Sequence, residues 1–158
     1  MNVIHAPNSI VGAVRPTLFL AGSIEMGKAS DWQAAFAGAF EGIPITFLNP
    51  RRPQWDPTWV QSIENPVFAE QVNWELDSIE AADIAVFYFE PSTMSPITLA
   101  ELGLTLASGK CLVCCPQGFW RRGNVEIMCS RFKAPFFETL PELIEAARQR
   151  VLAIGGGR

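Results

Sequence analysis

The chain has 158 residues, of which 49% are hydrophobic and 18% are charged, and its formal net charge is −4. This size and composition predict one globular domain over residues 1–158 with a core of its own. The acidic balance excludes the basic surface that polymeric DNA or RNA requires, although a small anion could still bind at local cations or helix N-termini. The N-terminus lacks a signal-peptide pattern and no segment could span a membrane, so we expect a cytoplasmic protein without membrane partners.

Short apolar segments alternate with helical patterns along the chain. The first apolar segment ends at Gly22 and Ser23, and a proline-rich loop over 50–65 has the length of a functional lid. Strands are predicted over 17–21, 45–49, 84–90, 111–115 and 134–138. Helices are predicted over 31–40, 66–82, 96–108, 123–131 and 139–153. The segments 1–16 and 154–158 are expected to be loose tails.

This alternation favours an α/β fold with a parallel sheet covered by helices on both faces. Five strands in a chain of this size predict a flavodoxin-like, doubly wound sheet with strand order 2-1-3-4-5. Ligands of such sheets bind beyond the carboxyl ends of the strands, at the switch point between strands 1 and 3. We therefore expect the site at Gly22 and Ser23, the 50–65 loop, residues 90–101 and the turn after Cys115.

The cysteine and histidine content limits the chemistry. Cys111, Cys114, Cys115 and Cys129 are predicted to be core thiols of a reducing compartment, because no second cysteine pair or histidine cluster completes a zinc site. The single histidine, His5, lies in the N-terminal segment, which excludes a Ser–His–Asp triad unless that segment folds back. We expect no metal and no cofactor, so catalysis would depend mainly on carboxylates.

Glu75 lies on the apolar side of the helix predicted over 66–82. On a helical wheel it follows Val72 by three residues and precedes Ile79 by four, and Leu76 falls in the same arc. A carboxylate in that position requires a partner or a function. The alternatives are a salt bridge or a side chain that reaches solvent at the helix edge.

Glu101 is the only charged residue between Pro91 and Gly109. On its helix it shares a narrow polar strip with Thr98 and Thr105, and the strip contains no lysine or arginine. The pattern alone allows either an ordinary exposed glutamate or a residue that lines a cleft or a subunit contact. Two carboxylates near a crevice, without histidine or metal, suit chemistry at the anomeric carbon of a sugar, where one attacks the carbon and the other manages a proton.

Four segments together resemble the nucleoside 2-deoxyribosyltransferase family, which also includes related nucleoside and nucleotide N-glycoside hydrolases. The segments are "LFLAGSI" (18–24), "NPRR" (49–52), "NWELDSIEAADIAVFYF" (73–89) and "SPITLAELG" (95–103). The similarity extends from about residue 17 to 132. It implies a five-stranded flavodoxin-like fold, oligomers with shared active sites, Glu101 as the nucleophile and Glu75 as the second acid. An asparagine from a neighbouring subunit often completes such sites, which makes Asn124 the candidate; it could instead be a helix N-cap.

The sequence departs from the family pattern at three positions. Glu75 replaces the common aspartate, Phe19 stands where a tyrosine often faces the nucleophile, and Ser95 replaces a frequent acidic residue. These changes leave the base preference and the acceptor step open.

Further candidates lie in the two loops beside the crevice. Trp55 and Trp59 could stack on a base or hold the 50–65 loop against the core. Ser23, with backbone amides and Lys28, could bind a 5′-hydroxyl or phosphate or form a plain turn. Arg51 and Arg52 could bind phosphate or form a solvated pair.

The sequence thus supports three hypotheses. The first is a nucleoside 2′-deoxyribosyltransferase whose partners are a nucleoside and a free base. The second is a hydrolase of nucleosides or their 5′-monophosphates, and the third is a non-catalytic nucleotide-binding module.

Overall fold

The computed structural model describes residues 1–24 and 29–156. Within these residues one parallel sheet is covered by α-helices. The strands are β1 (Asn2–His5), β2 (Thr17–Gly22), β3 (Thr46–Asn49), β4 (Ile84–Tyr88), β5 (Cys111–Cys114) and β6 (Phe136–Phe137). The helices are α1 (Trp32–Gly38), α2 (Pro66–Ala81), α3 (Pro96–Thr105), α4 (Arg122–Phe132) and α5 (Leu140–Gly155). A 3-10 turn over Leu106–Ser108 extends α3.

The sheet has six strands in the order β1-β3-β2-β4-β5-β6, and every neighbouring pair is parallel. The five predicted strands are β2 to β6, and their relative order is confirmed. The predicted number is wrong, because Asn2–His5, expected within a loose tail, pairs with Thr46–Asn49 at the edge of the sheet. An edge strand has one neighbour and is only half-buried, so β1 lacks the continuous apolar run that marks the central strands.

Helices lie on both faces of the sheet, as predicted. Alternate residues of the central strands point to opposite faces, as in Phe19 and Leu20 of β2. The core on the first face is formed with α2, α3 and α4, and the core on the second face with α1 and α5. Since α2 and α3 each follow a strand and precede the next parallel strand, both begin at the carboxyl edge of the sheet. Their buried residues belong to the same core, so the two helices lie on the same face.

Local capping explains where two helices begin. Asp31 is the N-cap of α1 and accepts a hydrogen bond from the Ala34 N–H at 3.1 Å. Asn65 caps α2 by accepting from the Val67 N–H at 3.2 Å, and Pro66 occupies the first helical position. No helix within the described residues is long and apolar enough to cross a membrane.

Candidate active site

Three hydroxyl side chains meet where β2 and β4 end. The Ser23 hydroxyl lies 2.8 Å from that of Thr93 and 2.6 Å from that of Ser95, and the latter two are 2.8 Å apart. The Glu90 N–H also donates to the Ser23 hydroxyl at 2.9 Å. All three hydroxyl residues are buried. The predicted crevice at the switch point therefore contains a polar cluster that joins the β2 turn to the start of α3.

Ser95 has a left-handed backbone conformation, with φ 45° and ψ 50°, at the N-cap of α3. A non-glycine residue in this region is strained, and such strain persists where the surroundings hold it in place, often at functional sites. The buried hydroxyl cluster supplies that restraint. Ser95 therefore places the first turn of α3 against the β2 turn.

Gly22 is required for the close approach of Trp32. A Cβ at Gly22 would lie 2.5 Å from the Trp32 ring and 2.6 Å from the Tyr88 carbonyl oxygen. The Trp32 indole N–H donates to the Ser23 carbonyl at 3.2 Å, so the ring supports the hydroxyl cluster directly. The absence of a side chain at Gly22 thus allows Trp32 to pack against the turn that carries Ser23.

Gly22→Ala is expected to destabilise the protein by about 1–3 kcal/mol, because the Trp32 ring or β4 must move. Thermal unfolding followed by circular dichroism measures the effect. Gly38→Ala is the matched control: an added Cβ there meets no heavy atom within 4 Å, and alanine has the higher helix propensity. An unchanged melting temperature in Gly22→Ala would contradict this account of the turn.

The α3 helix has its polar strip inside and an apolar face outside. Glu101 is only 8% exposed, and Thr98 and Thr105 are also buried, whereas Ile97 is 65% and Leu104 74% exposed. The Thr105 hydroxyl donates to the Glu101 carbonyl at 2.7 Å. The structure therefore excludes the reading of Glu101 as an ordinary exposed glutamate.

Glu75 lies on α2, the neighbouring helix on the same face. The sequence-based helical wheel is wrong for Leu76, which is 43% exposed; the side of α2 that faces the core carries Gln71, Trp74 and Ser78 instead. Glu75 is half-buried beside this stripe. Its Oε1 accepts a hydrogen bond from Nε2 of Gln71 at 2.8 Å.

The two carboxylates interact with each other and are both partly shielded from water. Burial, and after it the negative charge of Glu75, raises the pKa of Glu101 from 4.5 to about 8. Burial also raises the pKa of Glu75 from 4.5 to about 7, opposed by the hydrogen bond from Gln71. Within the part of the chain that the structure describes, neither carboxylate forms an ion pair with lysine, arginine or histidine. Among the residues that the structure describes, a structural salt bridge therefore does not account for Glu75.

Such a pair is suited to acid–base and nucleophilic work at one centre. Two interacting carboxyl groups lose their protons in two steps that belong to the pair. Between about pH 7 and pH 8 the Glu75–Glu101 pair holds about one proton. One carboxylate is then free to attack while the other still carries a proton, which is the division of roles found in glycoside-cleaving carboxylate pairs.

The structure brings some of the remaining candidates to this edge of the sheet and others elsewhere. Phe19 is fully buried and packs on Trp74 with ring centroids 6.4 Å apart, so it supports α2 from the core. Asn124 is an exposed residue inside α4, and because Arg121 is the N-cap, the N-cap alternative for Asn124 is wrong. Lys28 lies outside the described residues.

The 50–65 loop is held by contacts among its own residues and with α2. The rings of Trp55 and Trp59 are 5.1 Å apart in an edge-on arrangement, and the Arg52 guanidinium lies 5.2 Å from the Trp59 ring. Arg52 also binds Glu70 at 3.0 Å. These contacts support the interpretation that the tryptophans hold the loop in place.

Contacts within the fold account for the positions of Arg51, the four cysteines and His5. The Arg51 guanidinium donates to the Ser30 carbonyl at 2.9 Å and approaches Gln33 and Asp31, so it is not a solvated side chain. His5 belongs to β1, and its Nδ1 lies 3.2 Å from the Arg51 carbonyl oxygen. The prediction of buried, free thiols is confirmed for Cys111, Cys114, Cys115 and Cys129, whose pKa values burial raises to about 11 or 12.

Two residues of the site were not singled out from the sequence. Gln71 lies one helical turn before Glu75, a spacing at which side chains of a helix meet, and this could have identified it. Thr93 lies in a loop and reaches Ser23 only through the tertiary fold, so no local pattern indicates it. Two recesses on the described surface lie elsewhere: one of about 150 Å³ borders Ile10 and Arg15, and one of about 500 Å³ borders Glu126.

Comparisons with known proteins agree with this arrangement. A conserved protein from Enterococcus faecalis V583, known from its crystal structure, superposes with a TM-score of 0.60 at 14% sequence identity, covering 85% of this chain and 98% of that chain. At that identity the likeness shows the fold alone. None of the proteins of curated function is significantly similar to this chain. The family model described as "Nucleoside 2-deoxyribosyltransferase like" matches residues 15–119, well over half of the chain and including both carboxylates, and the chain therefore belongs to this family.

Proposed function

We propose that the protein is a nucleoside 2′-deoxyribosyltransferase, which exchanges the base of a 2′-deoxynucleoside through a covalent deoxyribosyl–Glu101 intermediate. The observation that carries the proposal is the interacting pair of the buried Glu101 and the half-buried Glu75, whose raised pKa values keep a shared proton near neutral pH. Family membership supports nucleosides as the substrate class. This sequence departs from the family pattern at Phe19 and Ser95, and these departures leave the identity of the base open.

In the first half-reaction the proton that the pair shares moves to Glu75, and the ionised oxygen of Glu101 then forms a bond to C1′ of the sugar. The N-glycosidic bond breaks, its electron pair passes to the nitrogen of the base, and the proton of Glu75 passes to the base. In the second half-reaction a nitrogen of the incoming base attacks C1′ from the same side. The Glu101 carboxylate is released, and Glu75 recovers a proton from that base. Two displacements retain the configuration at C1′.

The hydroxyl cluster at Ser23, Thr93 and Ser95 is the proposed binding site for the 5′ side of the sugar. It lies at the carboxyl edge of the sheet, where ligands of doubly wound folds bind. Gly22, Trp55 and Phe19 then act on the substrate through the shape of the surrounding turn, loop and core. Asn124 is proposed to reach the sugar of a neighbouring protomer.

A second candidate function is hydrolysis of nucleoside 5′-monophosphates. Ser95 replaces the acidic residue that the family often carries, and the first turn of α3 contains no acidic residue. The first turn of α3 therefore offers no carboxylate of its own to repel a phosphate at this helix N-terminus, where the backbone favours anions. In this reaction water takes the place of the second base.

The decisive experiment incubates the wild-type protein with a panel of deoxynucleosides, each with and without a different free base, and with the matching 5′-monophosphates. We expect new deoxynucleosides only when a base is added, and a protein mass increased by one deoxyribosyl group. Release of free sugar or sugar phosphate without added base would instead support the hydrolase. A protein that binds nucleosides but converts none of them would support the non-catalytic module.

We further propose that a second copy of the chain covers the apolar face of α3. This face contains the exposed side chains of Ile97, Ala100 and Leu104, and it carries no charge. The polar strip of the helix already faces inward, so solvent exposure of the apolar side serves no purpose within one protomer. Asn124 on α4 is exposed as well and follows α3 on the same side of the sheet.

Leu104→Glu is expected to convert the proposed oligomer into monomers and to lower activity at least about 10-fold, because a buried, unpaired charge at an interface costs several kcal/mol. Light scattering after size-exclusion chromatography measures the mass. Leu152→Glu is the control, since Leu152 is 64% exposed on α5, which packs on the other face. A wild-type protein that is monomeric at micromolar concentration would contradict the proposal.

A further inference from the structure

Gln71 is buried at 3% exposure, and its amide nitrogen makes two hydrogen bonds. Nε2 donates to the carbonyl oxygen of Pro50 at 2.9 Å and to Oε1 of Glu75 at 2.8 Å. An amide nitrogen has two N–H groups, so both donors are used. The Gln71 carbonyl oxygen is buried and has no hydrogen-bond partner among the described residues.

The Pro50 carbonyl fixes the orientation of this amide. If the amide were rotated by 180°, its oxygen would face the Pro50 oxygen, and two acceptors would be opposed without a proton between them. The observed orientation leaves one buried acceptor without a partner, which is unfavourable by itself. The side-chain N–H of Gln71 therefore stays directed at Glu75, although the carbonyl oxygen of Gln71 has no hydrogen-bond partner among the described residues.

We propose that Gln71 is a positioning residue of this site: it holds Oε1 of Glu75 as a hydrogen-bond acceptor and so leaves Oε2 as the oxygen that carries the proton. An oxygen that accepts from an amide N–H in both protonation states cannot also be the protonated oxygen facing that N–H. When Glu75 is the member of the pair that holds the proton, that proton is thereby confined to Oε2. The inference rests on the proposed function only for the use of that proton in releasing the base.

The same contact joins Glu75 to the beginning of the 50–65 loop. Pro50 directly follows β3, and the loop returns to α2 through the Arg52–Glu70 ion pair. A shift of the loop at Pro50 would move the Gln71 amide and with it the donor to Glu75. Loop position and the protonation of Glu75 are therefore coupled through one side chain.

The surroundings of Glu75 make the consequence measurable. On the neighbouring helix, the titratable group that interacts with Glu75 is Glu101. The 50–65 loop contributes the neutral Pro50 carbonyl, which contacts Glu75 only through Gln71. The strand β2 contributes the apolar Phe19, which packs on Trp74. The hydrogen bond from Gln71 stabilises the carboxylate and lowers the pKa of Glu75, against the larger effect of burial. Loss of the donor must therefore raise the pKa of Glu75.

The test is a titration of the side-chain carboxyl carbons by carbon-13 NMR in the wild-type protein and in Gln71→Met, which has a similar shape and no donor. We expect the Glu75 midpoint to rise by about one pH unit in Gln71→Met. Gln149→Met is the control, because Gln149 donates to Glu145 at 3.0 Å on the exposed surface of α5. An unchanged Glu75 midpoint in a folded Gln71→Met protein would overturn the proposal.

A second measurement needs no substitution at Gln71. In the wild-type protein the side-chain NH₂ signals of Gln71 are expected to shift at the same pH as the Glu75 carboxyl, and this step should be absent in Glu75→Gln. Signals that do not respond at that pH would also overturn the proposal. Neither titration requires turnover, so a protein without transferase activity could still confirm the position of Gln71, and an active protein could still refute it.

Discussion

Glu101→Gln is expected to lower the rate of base exchange by about 10³-fold or more, because an amide cannot form the covalent bond to C1′ that the mechanism requires. The measurement is a comparison of wild-type and variant rates on the best substrate of the panel, together with intact-protein mass. The deoxyribosyl adduct should be present on the wild-type protein and absent from the variant. The KM should change far less than kcat, since the substitution removes a bond that forms only during the reaction.

Protein stability supplies the control for Glu101→Gln. The folded protein holds the Glu101 proton more tightly than the unfolded chain does, because the pKa is raised from 4.5 to about 8. The stability of the wild-type protein therefore falls as the pH rises from about 4.5 to about 8. The glutamine variant lacks this loss, so at pH 9 it should be more stable than the wild type by several kcal/mol, and at pH 4 nearly equal.

These two readouts separate a missing nucleophile from a damaged fold. A variant that is inactive and more stable at high pH supports both the buried carboxylate and its catalytic use. A variant that exchanges bases at a rate close to that of the wild type would refute the covalent mechanism, whatever its stability.

Glu75→Gln is expected to lower the exchange rate by about 10²–10⁴-fold, which is the usual contribution of a general acid or base. It should also change the pH dependence. Under the proposed mechanism the reactive form of the wild type has one proton on the pair, so the rate should pass through a maximum between about pH 7 and pH 8. In the variant the negative charge of Glu75 is absent, so the pKa of Glu101 falls and the acidic limb of the profile moves to lower pH.

The alkaline limb gives the second part of this result. In the wild type it reports loss of the last proton from the pair, and in Glu75→Gln there is no such proton to lose. Asp77→Asn is a suitable control, because Asp77 is an exposed carboxylate on the same helix. If Glu75→Gln kept the limbs of the wild-type profile, the two carboxylates would not act as a pair.

The central strands could be predicted from the sequence because they are buried on both faces of the sheet. Such strands consist almost entirely of apolar residues, as in β4, and they alternate with helices at regular spacing. The N-terminal strand could not be predicted in this way, since only Val3 and Ile4 contribute to a pattern that is half-exposed. Edge strands are specified by their pairing partner, which lies 44 residues away for Asn2 and Thr46.

The candidate site was predicted in its carboxylates but not in their surroundings. Glu101 stood out because it is a single charge in a long neutral segment, and Glu75 because it interrupts an apolar stripe. The wheel for α3 did not show which side faces the core, since apolar residues occupy most of its circumference and the polar strip turned out to be inside. Thr93 depends on contacts between distant segments, which no local pattern contains.

The strand at the very start of the chain is also the outermost strand of the sheet beside β3. All four residues of Thr46–Asn49 are buried, and β1 satisfies the backbone groups on their outer side. If residues 1–6 were removed, β3 would become an open edge of the sheet. Such an edge is a template for strand addition between molecules, so the pairing of β1 with β3 protects this protein against aggregation.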